Sequence, residues 1–195
     1  MEVLRLADGL WRWTAEHPRW EHWPDHEREP REVGCVYYEA DDATVLIDPL
    51  VPAGEEADFF RHLDADVERR GLPVVILLTA EWHRRSTDEL AARYAARVGG
   101  AQPVGIEEIP IEGTDERQVA YFIRANAALV VCEVFAVDVH GELRVCESPA
   151  LARPDELEAS LERLMELPIE RLLVSHGEPV LEDAKARMAE ALARR

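Results

Sequence analysis

An α/β fold of two sheets packed face to face, with helices on the outside, is what the sequence predicts, and three observations predict it. Strand-like segments come in two blocks, each block is followed by amphipathic helical spacing, and no fixed-period repeat, linker or low-complexity tract divides the chain. The order reads β-rich, then αβα, then β-rich, then αβα, so residues 1–195 are expected to form one domain with two similar halves. A chain of 195 residues is long enough to build a two-sided core.

Val3 to Leu6 and Leu10 to Trp13 read as short strands, and the polar, aromatic stretch from Ala15 to Arg31 reads as a loop. Gly34 to Glu39 and Thr44 to Asp48 form a predicted hairpin turned by Asp41-Asp42 and stopped at Asp48-Pro49. From Glu55 to Arg70 the apolar residues Phe59, Phe60, Leu63 and Val67 fall at helical spacing, ended by Gly71. Val74 to Thr79 is a continuous branched apolar run, as expected of a strand covered on both faces. Ser86 stands three residues before Glu89, a capping-box spacing that opens a helix carrying Leu90 and Tyr94. The loop Ala80 to Arg85 therefore joins a buried strand to a helix N-terminus, where α/β proteins commonly place chemistry. Between Val104 and Val145 the pattern returns to β, with Val119 to Ile123 and Ala128 to Val131 flanking an Asn126 turn and a further hairpin at His140-Gly141. Pro154 starts a helix carrying Leu157, Leu161 and Leu164, Arg171 to Val174 makes a short strand, and Leu181 to Leu192 makes a last helix.

With 47% hydrophobic and 32% charged residues the chain has the composition of a folded globular protein. Its net charge of -18, from 40 acidic against 22 basic residues, repels nucleic acid and anionic membrane surfaces, so neither is expected as a partner. No apolar run is long enough to span a bilayer and the first residues lack the plan of a secretion signal, which makes the cytoplasm the expected compartment. Cys35, Cys132 and Cys146 are widely spaced in apolar runs, the pattern of buried thiols.

Three short motifs, in order and separation, resemble the metallo-β-lactamase superfamily over nearly the whole chain: Val45-Leu46-Ile47-Asp48-Pro49, Ile76-Leu77-Leu78-Thr79 leading into a loop and helix, and Leu173-Val174-Ser175-His176-Gly177-Glu178-Pro179. The resemblance implies an αββα sandwich with its site at one sheet edge. In that family the loop after the Ile-Leu-Leu-Thr strand reads H-x-H-x-D-H and holds zinc. Here it reads Ala80-Glu81-Trp82-His83-Arg84-Arg85. Without gaps, Ala80, Trp82, Arg84 and Arg85 fall on the ligand positions, and none offers a lone pair to a metal. A two-residue deletion would instead set Trp82-His83 on the final D-H pair. The family's Gly-His-Thr ligand corresponds to Glu112-Gly113-Thr114, its later acid to Glu133 behind Cys132, and only His176 is kept in kind, together with the supporting Asp48.

Zinc in a catalytic site takes about three protein donors, so the expected cofactor is none and the expected metal ligands are none. Candidate catalytic residues are His83, Glu133 and His176, and candidate ligand-binding residues are Asp48, Glu81, Trp82, Arg84 and Arg85. One reading is a metal-independent relative whose cleft takes a small ligand, an anionic one among the candidates, or a partner, or serves only structure. The other is a hydrolase using an altered metal site, through His83, Glu133 and His176, or acid/base chemistry from Glu81, His83, Glu133 and His176. In the gapless register Arg84 or Arg85 is expected to fork onto Glu133 in place of the metal. The loop His17-Pro-Arg-Trp20-Glu-His22-Trp23-Pro-Asp-His26 is open to three readings: a metal cluster, a cover for the core, or a lid whose tryptophans touch a ligand or a second copy in a homo-oligomer. Cys132 reads as a buried thiol or, beside His176, as a nucleophile. No G-x-S-x-G elbow, P-loop or G-x-G-x-x-G fingerprint is present.

Overall fold

The structure, a computed structural model, describes residues 2–20, 29–114, 116–145 and 153–194. The first half runs β1 (Val3–Ala7), β2 (Leu10–Glu16), β3 (Glu32–Glu39), β4 (Thr44–Ile47), α1 (Glu56–Arg70), β5 (Val74–Leu77), α2 (Thr87–Tyr94) and β6 (Arg97–Val98). These strands form one sheet in sequence order, antiparallel from β1 to β4 and parallel from β4 to β6, with α1 and α2 as the crossovers that parallel pairing requires. The second half runs β7 (Ile106–Ile111), β8 (Gln118–Ile123), β9 (Ala128–Val130), the hairpin β10 (Phe135–Val137) and β11 (Leu143–Val145), α3 (Pro154–Glu166), β12 (Arg171–Leu173) and α4 (Ala184–Ala193). Its main sheet has the order β12-β9-β8-β7.

Period-two burial makes the layers. Val45 and Ile47 of β4, with Val75 and Leu77 of β5, face Val119, Tyr121 and Ile123 of β8 between the sheets. Their neighbours Leu46 and Ile76 point the other way, onto Phe59 and Leu63 of α1 and Leu90 of α2. Ala120, Phe122 and Leu129 likewise turn outward onto Leu157, Leu161 and Leu164 of α3 and Met188 of α4. Each fully buried Leu or Phe in these clusters contributes about 1.5 to 3 kcal/mol. The four-layer αββα arrangement is thus present, and Pro154 occupies the first turn of α3 as expected.

Local details differ at α2 and α4. Ser86 does not cap α2 with its side chain; at φ -91° and ψ 13° it is not extended, and its hydroxyl instead accepts the Val51 amide at 2.9 Å. The last helix begins at Ala184, later than Leu181, behind a positive-φ Asp183. Cys35 and Cys132 are free and buried, while Cys146 lies outside the described residues, as do His22, Trp23 and His26. Among the described residues no helix is long and apolar enough to cross a membrane.

Candidate functional site

At one edge of the sandwich the chain ends of β4, β5, β9 and β12 meet. Asp48, the residue after β4, has φ 50° and is 3% exposed. Its carboxylate accepts the Thr79 amide at 2.8 Å, the Thr79 hydroxyl, and His83 Nδ1 at 2.9 Å. The side chain therefore ties the end of β4 to the loop after β5. There the backbone forms a 3-10 turn, Glu81–Arg84, opened by the His83 amide donating to the Ala80 carbonyl at 3.0 Å. This turn alternates in and out: Glu81, Trp82 and Arg84 face solvent, and His83 is 2% exposed.

On its other side His83 Nε2 lies 3.2 Å from Glu133 Oε1, and the same oxygen lies 3.3 Å from His176 Nε2. Asp48, His83, Glu133 and His176 thus form one chain of contacts, with Glu133 its most exposed member. Cys132 Sγ stands 3.8 Å from His83 Nε2 and 3.9 Å from Glu133 Oε1. His176 is set by backbone: the Gly34 amide donates to Ser175 O at 2.8 Å, the Val137 amide to His176 O at 3.0 Å, and Arg12 Nη2 to Gly177 O at 2.6 Å. Gly177 has φ 85°, and a Cβ there would fall on the Val137 carbonyl, so only glycine fits the turn.

The electrostatics follow from these contacts. Burial would raise Glu133, but hydrogen bonds from His176 and His83 outweigh it and hold the carboxyl well below its usual range. Burial would lower His83, but Cys132 and Asp48 outweigh it and lift the imidazole well above its ordinary value. Asp48, raised by burial alone, is held low by the His83 charge. Near neutral pH the chain is Asp48 carboxylate, His83 imidazolium, Glu133 carboxylate. Burial raises the Cys132 thiol, and the charge and hydrogen bond of His83 offset part of that rise.

The expected fork of an arginine onto Glu133 is not what forms. Arg84 points out and pairs with Asp88 at 2.6 Å and Glu81 at 3.6 Å. Arg85 turns inward but donates to the Asp48 carbonyl and the Ser175 hydroxyl, each at 3.1 Å. Two imidazoles at hydrogen-bond distance already satisfy Glu133, which removes the need for a guanidinium. Of the ligand-binding candidates, the structure brings Asp48 and Arg85 to this buried network and leaves Glu81, Trp82 and Arg84 on the surface. Arg85 is half-buried, has φ 34° and ψ -110°, and has its Nε buried with no hydrogen-bond partner. Among the described residues no carboxylate pairs with it.

Two further residues border the network. His17 is 9% exposed and accepts the Arg19 amide on Nδ1 at 3.1 Å. Burial, then Arg85 and His176, push it down to about 4, so it is neutral at pH 7. Glu29 lies 2.6 Å from Arg144 and 3.5 Å from His176 Nδ1. Trp20 Nε1 donates to the Glu29 carbonyl at 3.2 Å, and Arg31 lies 5.6 Å from the Trp20 ring centre. Nothing in the sequence singles out Glu29, and His17 is masked there by its His-rich loop.

A dinuclear zinc centre does not fit these residues. The loop offers Ala80, Trp82, Arg84 and Arg85 at the positions that carry ligands in the gapless register. At Gly113 a Cβ would stand 2.5 Å from the Arg153 carbonyl and against the Leu157 backbone, so no side chain can be carried there. Among the described residues one group of donors, His83, Cys132 and Glu133, has ligand atoms all within 4.8 Å of one another.

No protein-family model matches the sequence, and no curated protein matches it. Solved structures do. A metallo-β-lactamase from Pontibacter korlensis aligns over 100% of this chain and 99% of its own, at 16% identity and TM-score 0.58. An archaeal metallo-β-lactamase superfamily protein from Sulfolobus tokodaii aligns over 95% and 85%, at 17% identity and TM-score 0.65. A metallo-β-lactamase from Erythrobacter litoralis aligns over 99% and 92%, at 11% identity and TM-score 0.64. With the layer order and the site at the sheet edge, these likenesses show that the chain has the metallo-β-lactamase fold.

Proposed function

We propose that the protein is a metal-independent relative of the metallo-β-lactamases that binds a small carboxylate- or phosphate-bearing ligand in the cleft beside Arg85. The observation that carries this reading is Arg85 itself: a half-buried guanidinium with no carboxylate partner among the described residues, held on a backbone of φ 34°. A non-glycine residue outside the usual basins costs on the order of 1 to 3 kcal/mol, and such strain concentrates at functional sites. The Arg85 charge helps to hold Asp48 low, yet no carboxylate among the described residues forks onto it, so an added anion would find that charge only partly met. Asp48 and Ser175 fix the guanidinium, and His17 lies near enough to feel its charge and that of His176. Glu133, held low by two imidazoles, is a fixed anion rather than a general base, which argues against acid/base hydrolysis through it. The cytoplasm remains the proposed compartment, in keeping with free Cys35 and Cys132.

Inorganic phosphate is the probe. It is expected to raise the thermal midpoint and to bind saturably by calorimetry, and Arg85→Gln is expected to remove both effects while Arg84→Gln keeps them. If phosphate and acetate leave the wild-type protein unchanged, the anion-binding reading is wrong.

One observation favours a second reading, an altered mononuclear metal site serving a hydrolase. His83, Cys132 and Glu133 lie together, and Asp48 on His83 Nδ1 is the kind of carboxylate that orients a ligating imidazole. Bound metal would act as a Lewis acid there. Cobalt(II) separates the readings: a thiolate-to-cobalt absorption band that Cys132→Ser removes would support the metal site, and no band would support the metal-independent one.

A further inference from the structure

The face of the first sheet that looks away from the cleft carries a second concavity. Arg12 points inward to Gly177, so its neighbours Trp11 and Trp13 point outward. There they meet Tyr37 of β3 and Phe59 of α1, with Val3 of β1 and Asp66 of α1 at the rim. The space enclosed is about 470 Å³, the size of a small-molecule site. Its walls are aromatic: Trp11 stands edge-on to Tyr37 at 5.4 Å and Trp13 is tilted against Phe59 at 5.6 Å. Trp13 is anchored by its indole N–H to the Leu50 carbonyl at 2.9 Å, and Tyr37 by its hydroxyl to Glu39 at 3.2 Å, so these rings are set in advance.

We infer that this groove is a binding site for an organic ammonium cation with an apolar body, held by the faces of Trp11, Trp13, Tyr37 and Phe59 and by the Asp66 carboxylate. Aromatic faces carry negative charge density, and several converging rings bind alkylated ammonium groups that carboxylates alone would leave hydrated. At one end the lining carries the Asp66 carboxylate beside His62, with Glu39 behind it on the Tyr37 hydroxyl. Arg69 bridges those two carboxylates and offsets part of their charge. The Tyr37 phenol registers the balance: burial first, and then Asp66 and Glu39, raise it above its ordinary value. The protein's net charge of -18 draws cations in over longer range. The site shares no lining residue with the cleft and does not depend on the anion-binding reading.

Phenyltrimethylammonium and its uncharged isostere tert-butylbenzene test the inference on the whole chain, by tryptophan fluorescence and proton NMR. The cation is expected to bind saturably, and the isostere about threefold to thirtyfold more weakly, the range that cation–π contacts supply. Val3→Arg, at a position 55% exposed, places a fixed cation at the mouth without touching the core and is expected to weaken binding about tenfold or more. Trp11→Leu keeps an apolar wall but removes a ring face and is expected to weaken the cation more than the isostere. Equal binding of cation and isostere, unchanged binding in Val3→Arg, or no saturation in the wild-type protein would each overturn it.

Discussion

The turn Ser175-His176-Gly177 and the loop Ala80 to Arg85 meet at the same network, where Arg85 bonds Ser175, yet they are built on different principles. The turn is gripped through its backbone by amides of Gly34 and Val137 and the guanidinium of Arg12. The loop is oriented mainly by side chains, with Asp48, Thr79 and Glu133 converging on one imidazole. Backbone anchoring tolerates few substitutions at its glycine but is indifferent to most side-chain chemistry. Side-chain anchoring lets the chemistry of a loop change residue by residue while the scaffold stands. That contrast fits a metallo-β-lactamase fold whose turn carries His176 and whose loop offers arginines and a tryptophan.

The largest effect is expected where the backbone grip is broken. Gly177→Ala forces a side chain onto the Val137 carbonyl at φ 85° and should cost roughly 3 kcal/mol or more in urea unfolding. A loss under about 1 kcal/mol would mean the turn can shift, and the contrast drawn above would fail.

Next comes the side-chain network, where Asp48→Asn leaves the His83 charge short of one partner and should cost about 2 to 4 kcal/mol. Its pH signature has a definite sign. Asp48 and Glu133 are lowered in the folded state, so their contribution is full above the ordinary carboxylate range and is lost as pH falls through the folded values. His83 is raised, so its contribution is full below the ordinary imidazole value and is lost as pH rises through the folded one. Wild-type minus Asp48→Asn stability should therefore peak between about pH 4.5 and 6.5. A difference that is flat from pH 4 to 8 would show that His83 is not the charged centre of the network.

A smaller effect should accompany Arg85→Gly. Glycine relieves the backbone at φ 34° but gives up hydrogen bonds to Asp48 and Ser175, so stability should stay within about 1 kcal/mol of wild type. Phosphate binding should disappear all the same, separating the residue's ligand role from its structural one. The smallest effects belong to Arg84→Ala, an exposed ion pair, and to chelator treatment. Neither should move the thermal midpoint measurably, and a shift of many degrees with EDTA would point to a bound metal.

The fold was legible because burial repeats simply along the chain. Val45 and Ile47 against Leu46, and Val119, Tyr121 and Ile123 against Ala120 and Phe122, announce both faces of their strands in period two. The site was legible only in part. His83, Glu133 and His176 do converge, as their resemblance to the family's motif positions implied. Which of the loop's residues turn inward depends on the 3-10 turn and on the positive φ of Arg85, and neither leaves a pattern in a six-residue string. Arginine was therefore expected on Glu133, where a second imidazole stands. Cys132 beside Glu133 was read as a thiol or nucleophile, and its place near the His83 ring came from the packing of the two sheets, which brings the ends of β5 and β9 together, rather than from any motif.

Gly113 sets the terms for anyone wishing to engineer a zinc hydrolase from this scaffold. Donors written into the loop after β5 would face solvent or cleft much as Trp82 and Arg85 do now, and could be screened singly. Gly113, which the motif resemblance sets on a ligand position, cannot, because α3 enters against it, with the Arg153 carbonyl and the Leu157 backbone filling the space a histidine needs. Installing that ligand means re-routing the start of a helix whose Leu157, Leu161 and Leu164 pack the second sheet. The obstacle to a ligand at Gly113 is architectural as well as chemical, so a redesign would have to begin at the helix entrance and reach the ligand set last.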